Sequence, residues 1–195
     1  MRFALALGLS LVASAACGGG NRSAESPAPE TPAAAAAAPS PPEAGNTALT
    51  KSTVTLYFPS ATDDRLVPET RGIIETPRPA DRGAQILSAL LDGPEGKDAL
   101  PLAPDGTTLR RLWVRDDGTA YADFSAQLTE GLAGSSDEIL RLYAIVDSLT
   151  MNVPEIRRVG VLIDGRERDT LGGHIDVRRP VGPDPSLVPS TPTKE

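Results

Sequence analysis

The residues best able to do chemistry lie near the C-terminal end of the chain, around its single histidine. His174 and Asp176 are two positions apart, so on a strand their side chains would point to the same face. Together with Asp164 and Asp169 they are the candidate ligands for a Zn²⁺ or Ca²⁺ ion. One histidine without a nearby cysteine is a poor zinc ligand set, and the acidic spacing does not match an EF-hand loop. We therefore expect no metal and no other cofactor, and we expect Asp164 and Asp169 to shape turns.

The candidate nucleophiles lack a catalytic context. Ser88 and the pair Ser135-Ser136 are not part of a G-x-S-x-G sequence, and His174 would be the only histidine available as a base. Glu138 follows Ser135 by three residues, which is the spacing of a helix N-cap and capping box. We therefore expect the protein not to be an enzyme. A hydrolase is the third alternative, and it would require a Ser, Asp or Glu pair facing His174 in a pocket.

Trp113 and Tyr121 are the residues that could form a contact surface. They belong to only seven aromatic residues in the chain, one Trp, three Tyr and three Phe, and they lie on neighbouring predicted strands. Exposed aromatic rings can stack on a sugar or mark a protein interface, whereas buried ones pack in the core or at a sheet edge. The sequence leaves these alternatives open.

The N-terminal sequence predicts that the protein is localised to the cell envelope. Residues 1–16 combine a positive Arg2, an apolar run from Phe3 to Ala13 and small residues before a cleavage point, the pattern of a signal peptide. Cys17, the only cysteine, follows directly. This arrangement resembles a bacterial lipoprotein signal, which implies that Cys17 carries acyl chains such as palmitate. We expect a lipid anchor in a bacterial membrane outside the cytoplasm, in either the inner or the outer membrane.

Proline and alanine dominate residues 17–50, and proline recurs in residues 181–195. Residues 17–50 predict a disordered tether after the lipidated cysteine, and residues 181–195 predict a disordered C-terminal tail. Between them, residues 51–180 contain 16 Lys and Arg against 21 Asp and Glu, with the two signs interspersed as on an ordinary solvated surface. No basic stripe with interleaved aromatic residues occurs, so nucleic acid is not the expected partner.

The elements that must position these residues lie between 51 and 180. Alternating and helical patterns predict, in chain order, strands at 54–58 and 69–76, a helix from 81 to 92, strands at 109–114 and 120–124, a helix from 135 to about 150 and a strand at 159–163. Leu162 is apolar on the second face of that last strand, so we expect the strand to be covered on both sides. The order β-β-α-β-β-α-β, with an optional strand at 174–178, predicts an α/β (α+β) fold with a mixed β-sheet and two helices packed on one face.

Several short runs in this region resemble the GerMN domain family. They are VTLYFP (54–59), LLDGP (90–94), DGTAYADFS (117–125), GSSDE (134–138), AIVDSLT (144–150), VGVLIDG (159–165) and LGGHIDVRRP (171–180). The resemblance spans residues 54–180 and is carried by the order and spacing of these runs. It implies one GerMN domain of the spore-germination type at residues 51–180, with a fold similar to ring-building motifs. It also implies a lipoprotein or membrane-anchored envelope protein, and it brings no catalytic residue.

Composition, address and resemblance together predict a non-enzymatic envelope lipoprotein whose GerMN-like domain mediates protein–protein interaction or assembly. The expected partner is another envelope protein or a second copy of the chain, in a process linked to sporulation, germination or the cell wall. The alternative is a peptidoglycan or small-ligand binding module of the envelope, which predicts a cleft near Trp113 or Tyr121.

Overall fold

The structure, a computed structural model, describes residues 50–189. Cys17, the predicted signal peptide and most of the predicted tether lie outside these residues. The described elements are β1 (Lys51–Pro59), β2 (Leu66–Ile74), α1 (Pro79–Leu91), β3 (Leu109–Val114), β4 (Thr119–Phe124), α2 (Ser135–Thr150), β5 (Arg158–Ile163) and β6 (Arg166–Glu167), with 3-10 turns at Ala126–Thr129 and Pro185–Leu187. This order confirms the predicted α+β class. No helix within the described range has the length and apolar character needed to cross a membrane.

The strands divide between two sheets. β1 and β2 form an antiparallel hairpin, while β3-β4-β5-β6 form a mixed sheet in which only β4 and β5 run parallel. Side chains at the end of α2 cover the free edge of β1: the Tyr57 N–H donates to Ser148 Oγ at 2.9 Å, and the Thr55 N–H donates to Asn152 Oδ1 at 2.9 Å. Asn152 Nδ2 in turn donates to the Thr55 carbonyl at 2.7 Å. Polar side chains thus take the place of a neighbouring strand and satisfy the backbone groups of β1.

Both helices and both sheets share one hydrophobic core. From Leu140 to Leu149 every residue of α2 except Tyr143 is buried, so the helix is covered around most of its circumference rather than along one stripe. Gly83 allows α1 to approach β3 closely, because a Cβ atom at this position would lie 2.5 Å from Leu112 Cδ2.

Two local predictions are wrong. Neither Ser135 nor Ser136 caps α2; the N-cap residue is Gly134, and no side chain makes a cap hydrogen bond. The optional strand at 174–178 does not form. The sixth strand instead follows the turn of Asp164 and Gly165, whose φ angles of 51° and 74° suit a two-residue hairpin loop.

Residues 181–189, which fall in the predicted tail, pack against the folded domain. Val181 and Val159 exchange backbone hydrogen bonds of 2.8 and 2.9 Å, and the Asp184 N–H donates to Asp147 Oδ1 on α2 at 3.1 Å. The contacts of the fold therefore continue past the predicted boundary at Pro180.

Candidate functional site

The four-stranded sheet carries a row of apolar side chains on the face opposite the core: Trp113 on β3, Tyr121 on β4 and Leu162 on β5. We call this row and its surroundings the open sheet face. Trp113 and Tyr121 are directly opposite each other in the β3–β4 register, which makes their side chains neighbours on one face of the sheet. Trp113 is 40% exposed, while Tyr121 and Leu162 are half-buried. The structure thus brings together the two residues that the sequence suggested as a contact surface.

Leu162 extends this row across the parallel pair of strands. With Trp113, Tyr121 and Arg115 it lines a shallow concavity of about 380 Å³. The expected cover on the second face of β5 is partial: Gly160 is buried under the Tyr121 ring, while Leu162 is half-buried. Exposed apolar surface that is contiguous and rimmed by polar groups is typical of interaction sites.

Arginine side chains form the rim of the open sheet face. Arg111 precedes Trp113 by two residues on the same strand, and its guanidinium lies 5.4 Å from the centre of the indole ring, in a cation–π contact. Arg115 is 63% exposed and lies 4.0 Å from Asp117. The β3 side of the rim is therefore positive, whereas Glu167 is opposite Leu162 in the β5–β6 register and acidic residues outnumber basic ones in the domain as a whole. A positive rim of this kind is complementary to a partner with acidic groups.

An ion-pair network fixes the end of this face at which β4 and β5 terminate. Asp123 is 5% exposed, and its Oδ1 accepts the Gly165 N–H at 2.7 Å. Arg110 bridges two carboxylates, with Nε 3.4 Å from Asp123 and Nη1 2.8 Å from Asp164. Asp164, considered above as a metal ligand, is thus a turn residue held by an arginine.

The candidate metal ligands do not assemble. His174 Nδ1 lies 3.2 Å from Glu138 Oε2, whereas Asp176 is held through both oxygens by Arg178, at 2.9 and 2.6 Å. These hydrogen bonds lower the pKa of Asp176 to about 2. Asp169 contributes a backbone carbonyl, which accepts an N–H at 2.9 Å. In the part of the chain that the structure describes, no three His, Cys, Asp or Glu side chains are placed to hold a metal ion.

Glu138 acts as a structural carboxylate. It is completely buried, with Oε1 accepting the Leu171 N–H and Oε2 accepting the His174 N–H, each at 2.8 Å. Burial alone would raise its pKa, but hydrogen bonds from the backbone N–H groups of residues 171, 172, 174 and 175 outweigh burial and hold the pKa below its usual range. Its oxygens are thus engaged by the backbone around His174 and by the His174 ring, and they hold this segment against α2.

The fold and the open sheet face define a small α+β domain with a shallow apolar concavity on one side of its mixed sheet. The chain belongs to the Germane family, described as "Sporulation and spore germination", whose family model matches residues 55–169. This match confirms the resemblance to GerMN domains. No curated protein matches the chain.

Three solved structures are similar to the domain. The first GerMN domain of the sporulation protein GerM from Bacillus subtilis is 22% identical, with a TM-score of 0.54 over 68% of this chain and 96% of that one. The tandem GerMN domains of the same protein give 22% identity and a TM-score of 0.55, over 72% of this chain and 48% of that one. A predicted lipoprotein from Clostridium perfringens is 26% identical, with a TM-score of 0.49 over 68% of this chain and 87% of that one. At 22% identity the likeness to GerM establishes the fold alone.

Sequence reasoning missed part of the open sheet face. Arg111 could have been placed beside Trp113, because residues two apart on a strand share a face. Leu162 could not, since its position next to Tyr121 depends on the parallel pairing of β4 with β5. That pairing joins segments separated by the whole of α2.

Proposed function

We propose that this protein is a non-enzymatic, lipid-anchored envelope protein that contacts another envelope protein through the open sheet face, in a process related to sporulation or germination. The observation that carries the proposal is the apolar row on one side of the mixed sheet, in which an exposed Trp113 lies beside the half-buried Tyr121 and Leu162. Membership of the Germane family supports the link to sporulation or germination. The N-terminal pattern ending at Cys17 supports the address.

The chemistry of the face defines the kind of partner. An apolar centre with Arg111 and Arg115 at its rim suits a protein surface that offers an apolar side chain surrounded by Asp or Glu. Aromatic and arginine residues at the centre of a contact contribute a large share of binding free energy. A lipid on Cys17 would confine the domain to the membrane surface and raise its local concentration near such a partner.

Matched substitutions in the full-length, membrane-bound protein test this proposal. Trp113 and Ile74 are both 40% exposed, but Ile74 lies on β2 in the other sheet. After in vivo cross-linking and mass spectrometry, Trp113→Ala should reduce the captured partner by about tenfold or more, while Ile74→Ala should leave capture unchanged. Equal capture by both variants, or no enriched protein with the unaltered chain, would contradict the proposal.

The charge of the rim gives a second readout. Arg115→Glu should weaken capture, whereas Arg115→Lys should largely retain it, because the proposed role of Arg115 is a positive charge at the edge of the contact. Capture that is insensitive to charge reversal at Arg115 would exclude an acidic partner surface.

Peptidoglycan is a second candidate partner, favoured by the pairing of an exposed indole with Tyr121 beside a concavity of about 380 Å³. Aromatic rings of this kind can stack on sugar rings, but the Arg111 guanidinium already covers one face of Trp113. Co-sedimentation of the purified protein with cell-wall sacculi, lost in Trp113→Ala and kept in Ile74→Ala, would favour this candidate. No co-sedimentation at low salt would exclude it.

The proposed anchor is tested separately. Cys17→Ser should move the protein from the membrane fraction to the soluble extracytoplasmic fraction, since the acyl chains supply the membrane affinity. If the substituted chain fractionates with the membrane as before, the proposed address is wrong.

A further inference from the structure

A second concave region of about 280 Å³ lies between the end of β1, the loop that follows it, the segment before β3 and the first turns of α2. It shares no residue with the open sheet face. Leu102 and Leu140 line its apolar part, and Arg141 is the only basic residue among its lining residues. The cavity therefore places one arginine against an apolar wall.

Arg141 is 8% exposed, which is unusual for an arginine. Its Nη1 donates to the carbonyls of Leu128 and Glu130, each at 2.7 Å. Its Nε is buried and has no hydrogen-bond partner among residues 50–189. A buried donor without a partner is costly. Because Nε is closed to solvent, an acceptor that relieved it would enter with a shift of the surrounding side chains.

The geometry of the guanidinium identifies the acceptor. Nε and the adjacent Nη2 form the edge through which arginine binds a carboxylate with two parallel hydrogen bonds. The two carbonyls that hold Nη1 fix the plane of the guanidinium, so this edge is oriented before any ligand arrives. Prior orientation lowers the entropic cost of binding.

The mouth of the cavity has the opposite charge. Asp63 and Asp64 are exposed at its edge, and Asp137 lies one turn before Arg141 on α2. Asp137 Oδ2 already accepts the Ala133 N–H at 3.0 Å, whereas the side chains of Asp63 and Asp64 face solvent. If the carboxylate of a ligand bound Arg141, the opposite end of that ligand would therefore lie beside the carboxylates of Asp63 and Asp64.

We propose that this cavity binds a small zwitterion of the α-amino-acid type, with the ligand carboxylate on Arg141 and the ligand ammonium group beside Asp63 and Asp64. A volume of about 280 Å³ is just below the range of about 300–1,000 Å³ that suits drug-sized ligands, so a smaller molecule fits it. The site is independent of the contact function proposed above.

Three matched compounds test both charges on the full-length, ¹⁵N-labelled protein in mild detergent. Alanine carries both groups, N-acetylalanine lacks the ammonium, and alaninamide lacks the carboxylate. In ¹H–¹⁵N spectra, alanine should shift the Arg141 Nε–H resonance and the amide resonances of Ser60 and Gly131. Each analogue should bind with an affinity at least about tenfold lower than that of alanine. No shift with alanine at about 10 mM would overturn the proposal, as would equal binding of either analogue.

Substitutions at the mouth avoid disturbing the fold. Arg141→Lys is less suitable: it keeps the charge and removes the two-nitrogen edge, but it also removes the hydrogen bonds to the Leu128 and Glu130 carbonyls that support the fold. The double variant Asp63→Asn/Asp64→Asn changes only exposed side chains and should weaken alanine binding about tenfold without lowering the thermal midpoint. The control Asp105→Asn/Asp116→Asn alters two exposed acids outside the cavity and should bind alanine normally. Equal affinity of the two double variants would contradict the role of the acidic mouth.

Discussion

The Tyr121 ring lies directly over Gly160: a Cβ atom at residue 160 would lie 2.8 Å from Cδ1 and 2.9 Å from Cε1 of the tyrosine. Contacts this short cannot be accommodated in place, so Gly160→Ala should push the ring off the sheet and break its pairing with Trp113. We expect a loss of about 1–3 kcal/mol in the free energy of unfolding, measured by urea denaturation. Capture of the proposed partner should fall as well.

Gly72 on β2 provides the matched control for this substitution. A Cβ atom there would meet no atom within 4 Å, so Gly72→Ala should change the free energy of unfolding by less than about 1 kcal/mol and leave capture intact. If Gly72→Ala and Gly160→Ala changed the free energy of unfolding and the capture equally, the position of the Tyr121 ring would not depend on the missing side chain at Gly160.

Asn152 supports a second prediction, because its side chain makes the hydrogen bonds that a neighbouring strand would otherwise make to Thr55 of β1. Asn152→Ala leaves both the Thr55 N–H and the Thr55 carbonyl without their partner, which should cost about 1–3 kcal/mol in the free energy of unfolding. Hydrogen exchange should locate the effect: the Thr55 amide should exchange faster. Ser148→Ala should instead release the Tyr57 amide, which donates to Ser148 Oγ. If both variants exchanged faster throughout β1, this result would argue against separate roles for Asn152 at Thr55 and for Ser148 at Tyr57.

These features show what the sequence could and could not provide. β3, β4 and β5 lie within one or two residues of their predicted bounds, because alternation over five or six residues is a strong local signal. The role of Asn152 was not predictable, since its partner Thr55 is 97 positions away. The sequence predicts Ser135 or Ser136 as the cap of α2, but capping depends on the backbone angles of one residue, and Gly134 takes that place.

The candidate site divides in the same way. Trp113 and Tyr121 were placed on neighbouring strands by the hairpin signal between them, so their pairing could be anticipated. Arg141 was invisible as a site residue because its surroundings come from the end of β1 and from the segment before β3 as well as from its own helix. His174 was assigned to a strand with Asp176, whereas Glu138 binds the backbone around it and holds that segment as a loop.

Glu138 supports a third prediction. Its folded-state pKa lies below the usual range, so its ionised form stabilises the fold above about pH 4.5, and this stabilisation is lost as pH falls through the folded-state pKa. Glu138→Gln replaces one acceptor oxygen by an NH₂ group and leaves a buried backbone N–H unpaired, at a cost of about 2–3 kcal/mol at pH 7. The deficit should shrink on acidification. Glu155→Gln, at an exposed position, should have no such effect at either pH.

Asp147 on the same helix has the opposite electrostatic character. It is completely buried, its Oδ1 accepts the Asp184 N–H at 3.1 Å, and its Oδ2 is buried without a partner among the described residues. Burial raises its pKa to about 6, with the nearby Asp184 charge adding to the effect. The folded chain therefore holds this proton to a higher pH than the unfolded chain does.

The sign of the resulting pH dependence follows directly. The contribution of Asp147 to stability is complete below about pH 4 and is lost as the pH rises to about 6, a cost of about 3 kcal/mol at neutral pH. Asp147→Asn removes the ionisation while keeping an acceptor for Asp184. The variant should therefore exceed the unaltered protein in free energy of unfolding by up to about 3 kcal/mol at pH 7.5 and match it at pH 4.

Urea denaturation at the two pH values measures this difference, with the exposed Asp105→Asn as control. At pH 4 the advantage of Asp147→Asn should be gone, whereas the deficit of Glu138→Gln should only have begun to shrink, because the folded-state pKa of Glu138 is lowered from 4.5. If Asp147→Asn were no more stable than the unaltered chain at pH 7.5, the cost of ionising Asp147 would be absent. The folded chain would then rearrange when Asp147 ionises, so that its carboxylate is no longer buried without a partner. The segment around Asp184 is the element placed to move in that case, because its only described tie to Asp147 is one backbone N–H.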